Sequence, residues 1–170
     1  MAKKQEEKYK ILDIKPDKEE EGDVVFSVLV LETDDSFTLN CDSDFPDDPL
    51  GCMKKEELAN YKTKFLTGHL VFLPHMDSLK MSDKKERKFE QKEGTCETEI
   101  TGEVKVSEVR NGDVHFDVDC GKFTFSIDSR KSDFSPKVGD SVYAKGDLRI
   151  EDVEIEPIKG AAAGEVGKEI

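Results

Sequence analysis

Four side chains in the first half of the chain are of the types that hold zinc: Cys41, Cys52, His69 and His75. His69 and His75 have the H-x5-H spacing of a zinc half-site. The cysteines do not complete it. Ten residues separate Cys41 from Cys52, whereas a turn that presents two thiolates to one ion spaces them by about two to four. Cys41 also alternates with Phe37 and Leu39, a phase in which a free cysteine acts as a small apolar residue. In the second half, Cys96 and Cys120 have only His115 nearby. The sequence therefore predicts no metal site and no cofactor.

Carboxylates crowd into residues 40–48, where they suit a hard cation. Read as a calcium loop from Asp42, the segment has Asp47 where glycine is needed and Met53 where the bidentate glutamate belongs. It reads as a solvated acidic loop. The chain has no Gly-x-Ser-x-Gly elbow, no phosphate-binding glycine loop and no His-Glu-x-x-His. His115 falls on the polar phase of its strand and reads as a surface histidine. No catalytic residue is predicted, and the chain reads as a non-enzyme.

The elements that carry these residues come from a sequence that repeats. Gly22-Asp23-Val24-Val25-Phe26-Ser27-Val28 returns as Gly112-Asp113-Val114-His115-Phe116-Asp117-Val118, offset by 90 positions. Ser36-Phe37-Thr38-Leu39 with Asp42-Ser43 is echoed by Lys122-Phe123-Thr124-Phe125 with Asp128-Ser129, offset by 86. A duplicated unit with an internal loop of different length explains both offsets. The second copy is regular. Ile100, Val104 and Val106 alternate with polar residues, and Asn111-Gly112 suits the positive φ of a type I′ hairpin turn. Val114, Phe116 and Val118 share one phase, as do Phe123, Phe125 and Ile127. Val142 and Ala144 lead into Leu148, Ile150, Val153 and Ile155, where the broken alternation predicts a bulge.

The first copy predicts a strand over 9–14, a charged loop over 15–21, a long strand over 24–31 and a third strand around Phe37, Leu39 and Cys41. A short helix follows over 54–62, then a fourth strand over 68–73 that Pro74 stops, and a weak fifth over 76–81. The predicted division is 9–82 for the first domain, 83–95 for a charged linker, 96–157 for the second domain and 158–170 for a mobile tail.

Five strands, with a helix between the third and fourth in one copy, is the plan of the OB-fold. The run Val138-Gly139-Asp140-Ser141-Val142-Tyr143-Ala144-Lys145-Gly146-Asp147-Leu148-Arg149-Ile150 resembles the fourth-to-fifth strand turn of OB-fold domains. The resemblance implies an all-β chain of two tandem, five-stranded OB-like barrels, the first with the inserted helix. OB-folds bind oligonucleotides, oligosaccharides and proteins, so the resemblance implies a binding module without naming its ligand.

Charge and phase weigh those ligands. Residues 9–82 hold 8 cations against 16 carboxylates, and residues 96–157 hold 8 against 15. Each half is therefore acidic, against the field that phosphate binding needs. The phase opposite Phe116, Phe123 and Phe125 offers no phenylalanine or tyrosine on which bases could stack. The strand over 24–31 is apolar on both phases. Val25, Leu29 and Leu31 are read as its outer, protein-binding face, with Ser27 the one polar residue among them. The predicted function is a non-catalytic adaptor for a protein partner or a second copy of itself. Single-stranded nucleic acid is the alternative, with Lys122, Arg130, Lys131, Tyr143, Lys145 and Arg149 as its contacts. No apolar stretch approaches the roughly 18 residues of a membrane span, and the N-terminus has no apolar signal core. The chain reads as cytoplasmic.

Overall fold

Alternation becomes strand after strand in the computed structural model, which describes residues 7–156. The strands are β1 (Glu7–Glu20), β2 (Asp23–Glu32), β3 (Thr38–Ser43), β4 (Phe65–Pro74), β5 (Lys80–Met81), β6 (Lys88–Gln91), β7 (Glu97–Arg110), β8 (Asp113–Asp119), β9 (Thr124–Arg130) and β10 (Ser141–Ile155). Two short helices, α1 (Asp47–Leu50) and α2 (Lys55–Leu58), lie between β3 and β4, with a further 3-10 turn at Ala59–Tyr61. The chain forms two compact units. Among the described residues, one takes 7–69 with 150–156, and the other is Leu70–Arg149.

The first unit is a closed barrel in OB order. Its strands run β3-β2-β1-β4-β10, and β10 pairs with β3 to close the ring. The first strand thus sits between the second and fourth, and the last between the fourth and third, with the helix after the third. Tyr9, Ile11, Leu29, Leu31, Leu39, Cys41, Leu66 and Val153 fill it, each at most 6% exposed. Leu58 of α2 is buried as well. Phe45, just after β3, turns in and meets Tyr61 edge to face at 5.6 Å.

The second unit has the same order, and among the described residues no pairing closes it. It runs β4-β10-β7-β8-β9, with β6 on β7 and β5 on β10. Asn111 and Gly112 take φ of 53° and 82°, the left-handed pair that a tight hairpin between β7 and β8 requires. Val114, Phe116, Val118, Phe125 and Ile127 are buried as their alternation predicts. Phe123, half-buried, packs against Phe89 of β6 at 5.1 Å.

The division differs from the one predicted at 82 and 96. Residues 65–69 of β4 belong to the first unit and 70–74 to the second, while residues 141–149 of β10 belong to the second and 150–155 to the first. Each unit therefore takes its fifth strand from the chain that continues the other's fourth. Two glycines mark the exchange. In the first unit, a Cβ on Gly68 would stand 3.0 Å from the Glu151 carbonyl oxygen. In the second, one on Gly146 would stand 2.1 Å from the Leu73 carbonyl oxygen. Gly68 to Gly146 and Leu73 to Glu151 are both steps of 78, so the two contacts are counterparts. The weak fifth strand expected over 76–81 is instead a 3-10 turn at Met76–Ser78 and the two-residue β5. The expected linker over 83–95 contains β6, whose four residues are too few to show a period. The predicted tail, 158–170, lies outside the described residues.

Two more expectations change. The charged loop predicted over 15–21 continues β1 as an exposed ribbon against β2, as far as Glu20 opposite Asp23. Charge there shows only that the ribbon is solvated on both faces. Where a bulge is expected, between Ile150 and Val153, Asp152 takes a left-handed φ of 56°. Among the described residues no helix is long and apolar enough to cross a membrane.

Candidate functional site

On β2, the residues read as an outer face are core. Val25 is 6% exposed, and Leu29 and Leu31 are fully buried. Ser27 shares their phase and is buried too, because its hydroxyl donates to the Phe45 carbonyl at 2.7 Å. A buried hydroxyl with a partner is tolerated where an unpaired one is not. Taken alone, Ser27 looks like the solvent side, and the Phe45 carbonyl that satisfies it lies 18 residues away.

Register explains the inversion. Leu29 lies opposite Cys41, and Phe116 lies opposite Ile127. Cys41 and Ile127 are counterparts at the offset of 86, so Leu29 matches Phe116 at 87, not at 90. The Gly-Asp hairpin tips align at 90. The first hairpin arm is therefore three residues longer than the second, and an odd difference turns every side chain to the other face.

The outward residues of β2 are Phe26, Val28 and Val30, each half-buried. Across the register, Lys18, Lys15 and Asp13 of β1 flank them on one side, and Asp42 and Asn40 of β3 flank Val28 and Val30 on the other. Lys18 places its ammonium 5.6 Å from the Phe26 ring centre. Burial raises the Asp13 carboxyl, but hydrogen bonds from Lys62 at 3.1 Å and from the Ile14 amide outweigh it and hold the group below its ordinary range. The result is an apolar stripe with a polar rim on the outer face of β1–β3.

In the second unit the predicted cations do not converge. Lys122 sits in the turn between β8 and β9, and Arg130 and Lys131 at the far end of β9. A strand of that length separates them by about 20 Å. Tyr143 and Lys145 are on β10, where the Tyr143 hydroxyl donates to Glu99 at 2.7 Å and Lys145 pairs with Glu97 at 3.1 Å. The bond to Glu99 raises the Tyr143 pKa, and the bond from Lys145 lowers that of Glu97. Lys80 lies 5.0 Å over the Tyr143 ring. Arg149, half-buried, is four residues further along β10 than Lys145. Tyr143 borders a groove of about 550 Å³ whose wall carries Lys80, Lys84 and Lys88 together with Glu86, Glu90 and Glu99. Both signs of charge share that wall, so it is not a positive channel.

The zinc-type residues are dispersed. Cys41 is buried and Cys52 exposed. His69 faces Asp152 at 3.9 Å, and His75 faces Asp147 at 3.5 Å. Asp44 and Asp48 of the acidic loop share a pocket of about 160 Å³ with Glu151 and Asp152. Among the described residues, no three histidine, cysteine or carboxylate side chains come together as a metal site. Cys120 is buried, and burial pushes its thiol up to about 11, which leaves it protonated and unreactive at neutral pH.

No protein-family model and no curated protein matches the chain. A solved structure of the cytoplasmic molybdate-binding protein ModG, with molybdate bound, is similar to it at 10% identity and a TM-score of 0.46, over 91% of this chain and 96% of that one. The OB-like fold rests on the strand order and closure of the first unit.

Proposed function

We propose that the chain is a non-catalytic, cytoplasmic binding module whose ligand is a protein. The outer stripe of Phe26, Val28 and Val30 carries this reading. An apolar centre inside a polar rim is the anatomy of a protein interface. Asp13 and Asp42 on that rim favour a partner with basic residues around an apolar contact. Nucleic acid is the weaker reading, because Tyr143 and Lys145 are already bonded to carboxylates and the remaining cations are spread over the unit.

The test is affinity capture from an extract of the source cells, with the wild type and Val28→Asp side by side. The aspartate puts a charge at the centre of the stripe and leaves the core phase untouched. A protein retained by the wild type and lost from the variant, with unchanged circular dichroism, supports the proposal. Identical captured sets contradict it.

A further inference from the structure

Among the described residues, strand β9 is open along one edge, and its two hairpin closures fix which backbone groups lie there. The Cys120 N–H donates to the Phe123 carbonyl and the Lys131 N–H to the Gly112 carbonyl, both at 2.9 Å. Bonded and non-bonded pairs alternate along an antiparallel ladder. Phe125, Ile127 and Ser129 therefore exchange bonds with β8, and Thr124, Ser126, Asp128 and Arg130 direct their backbone groups the other way. The Arg130 carbonyl accepts from the Asp133 and Phe134 amides. Among the described residues, β9 pairs with no strand but β8.

The first unit closes the same position. There β10 pairs with β3, the counterpart of β9. In the second unit the matching strand is β4, which ends at Pro74 before the chain turns at Met76–Ser78. The proline stops the strand that closure would need. What remains is a regular seven-residue edge without a bulge or proline, two of the devices that usually block an added strand, and with Asp128 and Arg130 as its charges.

The chemistry beside this edge is acidic. The exposed phase carries Asp128 on β9 and Asp113, Asp117 and Asp119 on β8, the last paired with Arg87 at 3.7 Å, while Lys122 and Lys131 flank the two ends of β9. Ser126 donates its hydroxyl to Asp117 at 2.7 Å, and His115 contacts Asp128. Arg130 lies at the end of the strand, opposite Asp113. We propose that the β9 edge is a second binding site, which takes an extended, basic peptide segment of a partner protein as an added strand. Main-chain bonds to Thr124, Ser126 and Asp128 hold the segment, and lysine or arginine on its exposed phase faces Asp128. A second copy of β9 fits less well, since it would bring one acidic face against another on chains that each carry −13.

The test is amide hydrogen exchange of the full chain, read by NMR, with a capped heptapeptide alternating lysine and valine as the probe. In the free protein, the amides of Thr124, Ser126, Asp128 and Arg130 exchange fast and those of Phe125 and Ile127 slowly. Saturating peptide slows those of Thr124, Ser126 and Asp128 by about tenfold or more. A glutamate–valine peptide, and a lysine peptide N-methylated at alternate residues, give no such protection. Asp128→Lys weakens the lysine peptide by about fivefold, with Phe125 and Ile127 still protected. Ser126→Pro deletes an edge donor that β8 does not use, and abolishes binding. Slow exchange of the four amides in the free protein overturns the proposal: if deleting residues 157–170 releases it, the chain covers its own edge, and if it rises with protein concentration, a second copy does. Equal protection by the glutamate peptide, or none by the lysine peptide, overturns it as well.

Discussion

Gly146→Ala destabilises the second unit by about 3 kcal/mol, the upper end of what an overpacked core site costs. The new Cβ would lie 2.1 Å from the Leu73 carbonyl oxygen and 2.7 Å from the Pro74 Cα. Both are backbone atoms of the strand beside it, so no side-chain rotation relieves the clash and β4 must separate from β10. Gly68→Ala, the counterpart in the first unit, is milder. Its Cβ meets the Ile150 side chain at 2.9 Å and the Glu151 oxygen at 3.0 Å, and Ile150 can give way, so the cost is about 1 kcal/mol. Urea unfolding of the two variants measures both. Equal effects would mean that the two strand exchanges are not packed as the structure has them.

Leu29→Ala costs about 2–5 kcal/mol, the range for a buried leucine that leaves a cavity, while Val28→Ala, on the outer stripe, costs under about 1 kcal/mol. Leu29 is fully buried in the closed barrel opposite Cys41, itself fully buried. The pair of variants therefore reads the phase of β2 directly. The reverse ranking would restore Val25, Leu29 and Leu31 as an outer face. It would also make the 90-residue offset the true correspondence.

Much of the fold is legible in local pattern, because the devices that set it are local. Asn111-Gly112 can turn only one way, and Val114, Phe116 and Val118 alternate over a core on one side only. The inserted helix announces itself through helix formers around Leu58. The failures occur where long-range choice decides. Whether β4 and β10 complete their own barrel or the other's is settled by strand pairing across most of the chain, and alternation is the same in either case. The phase of β2 depends on a three-residue difference in arm length and on one hydroxyl that finds the Phe45 carbonyl. A doubly apolar strand offers no second cue to correct the reading. For β2, the sequence shows a strand apolar on both phases but puts Val25, Leu29 and Leu31 on the outer one, and the structure buries all three. The β9 edge is invisible to sequence, since an unpaired edge is defined by the strand that Pro74 cuts short.

The most direct test of the binding reading is a fluorescence-anisotropy titration of labelled single-stranded DNA and RNA, at low salt and at physiological salt. With the predicted contacts of the second unit dispersed or bonded to carboxylates, the chain is expected to give no saturable binding even at low salt, where phosphate contacts are strongest. Micromolar or tighter binding that falls steeply with salt would contradict the account and move the ligand from protein to nucleic acid.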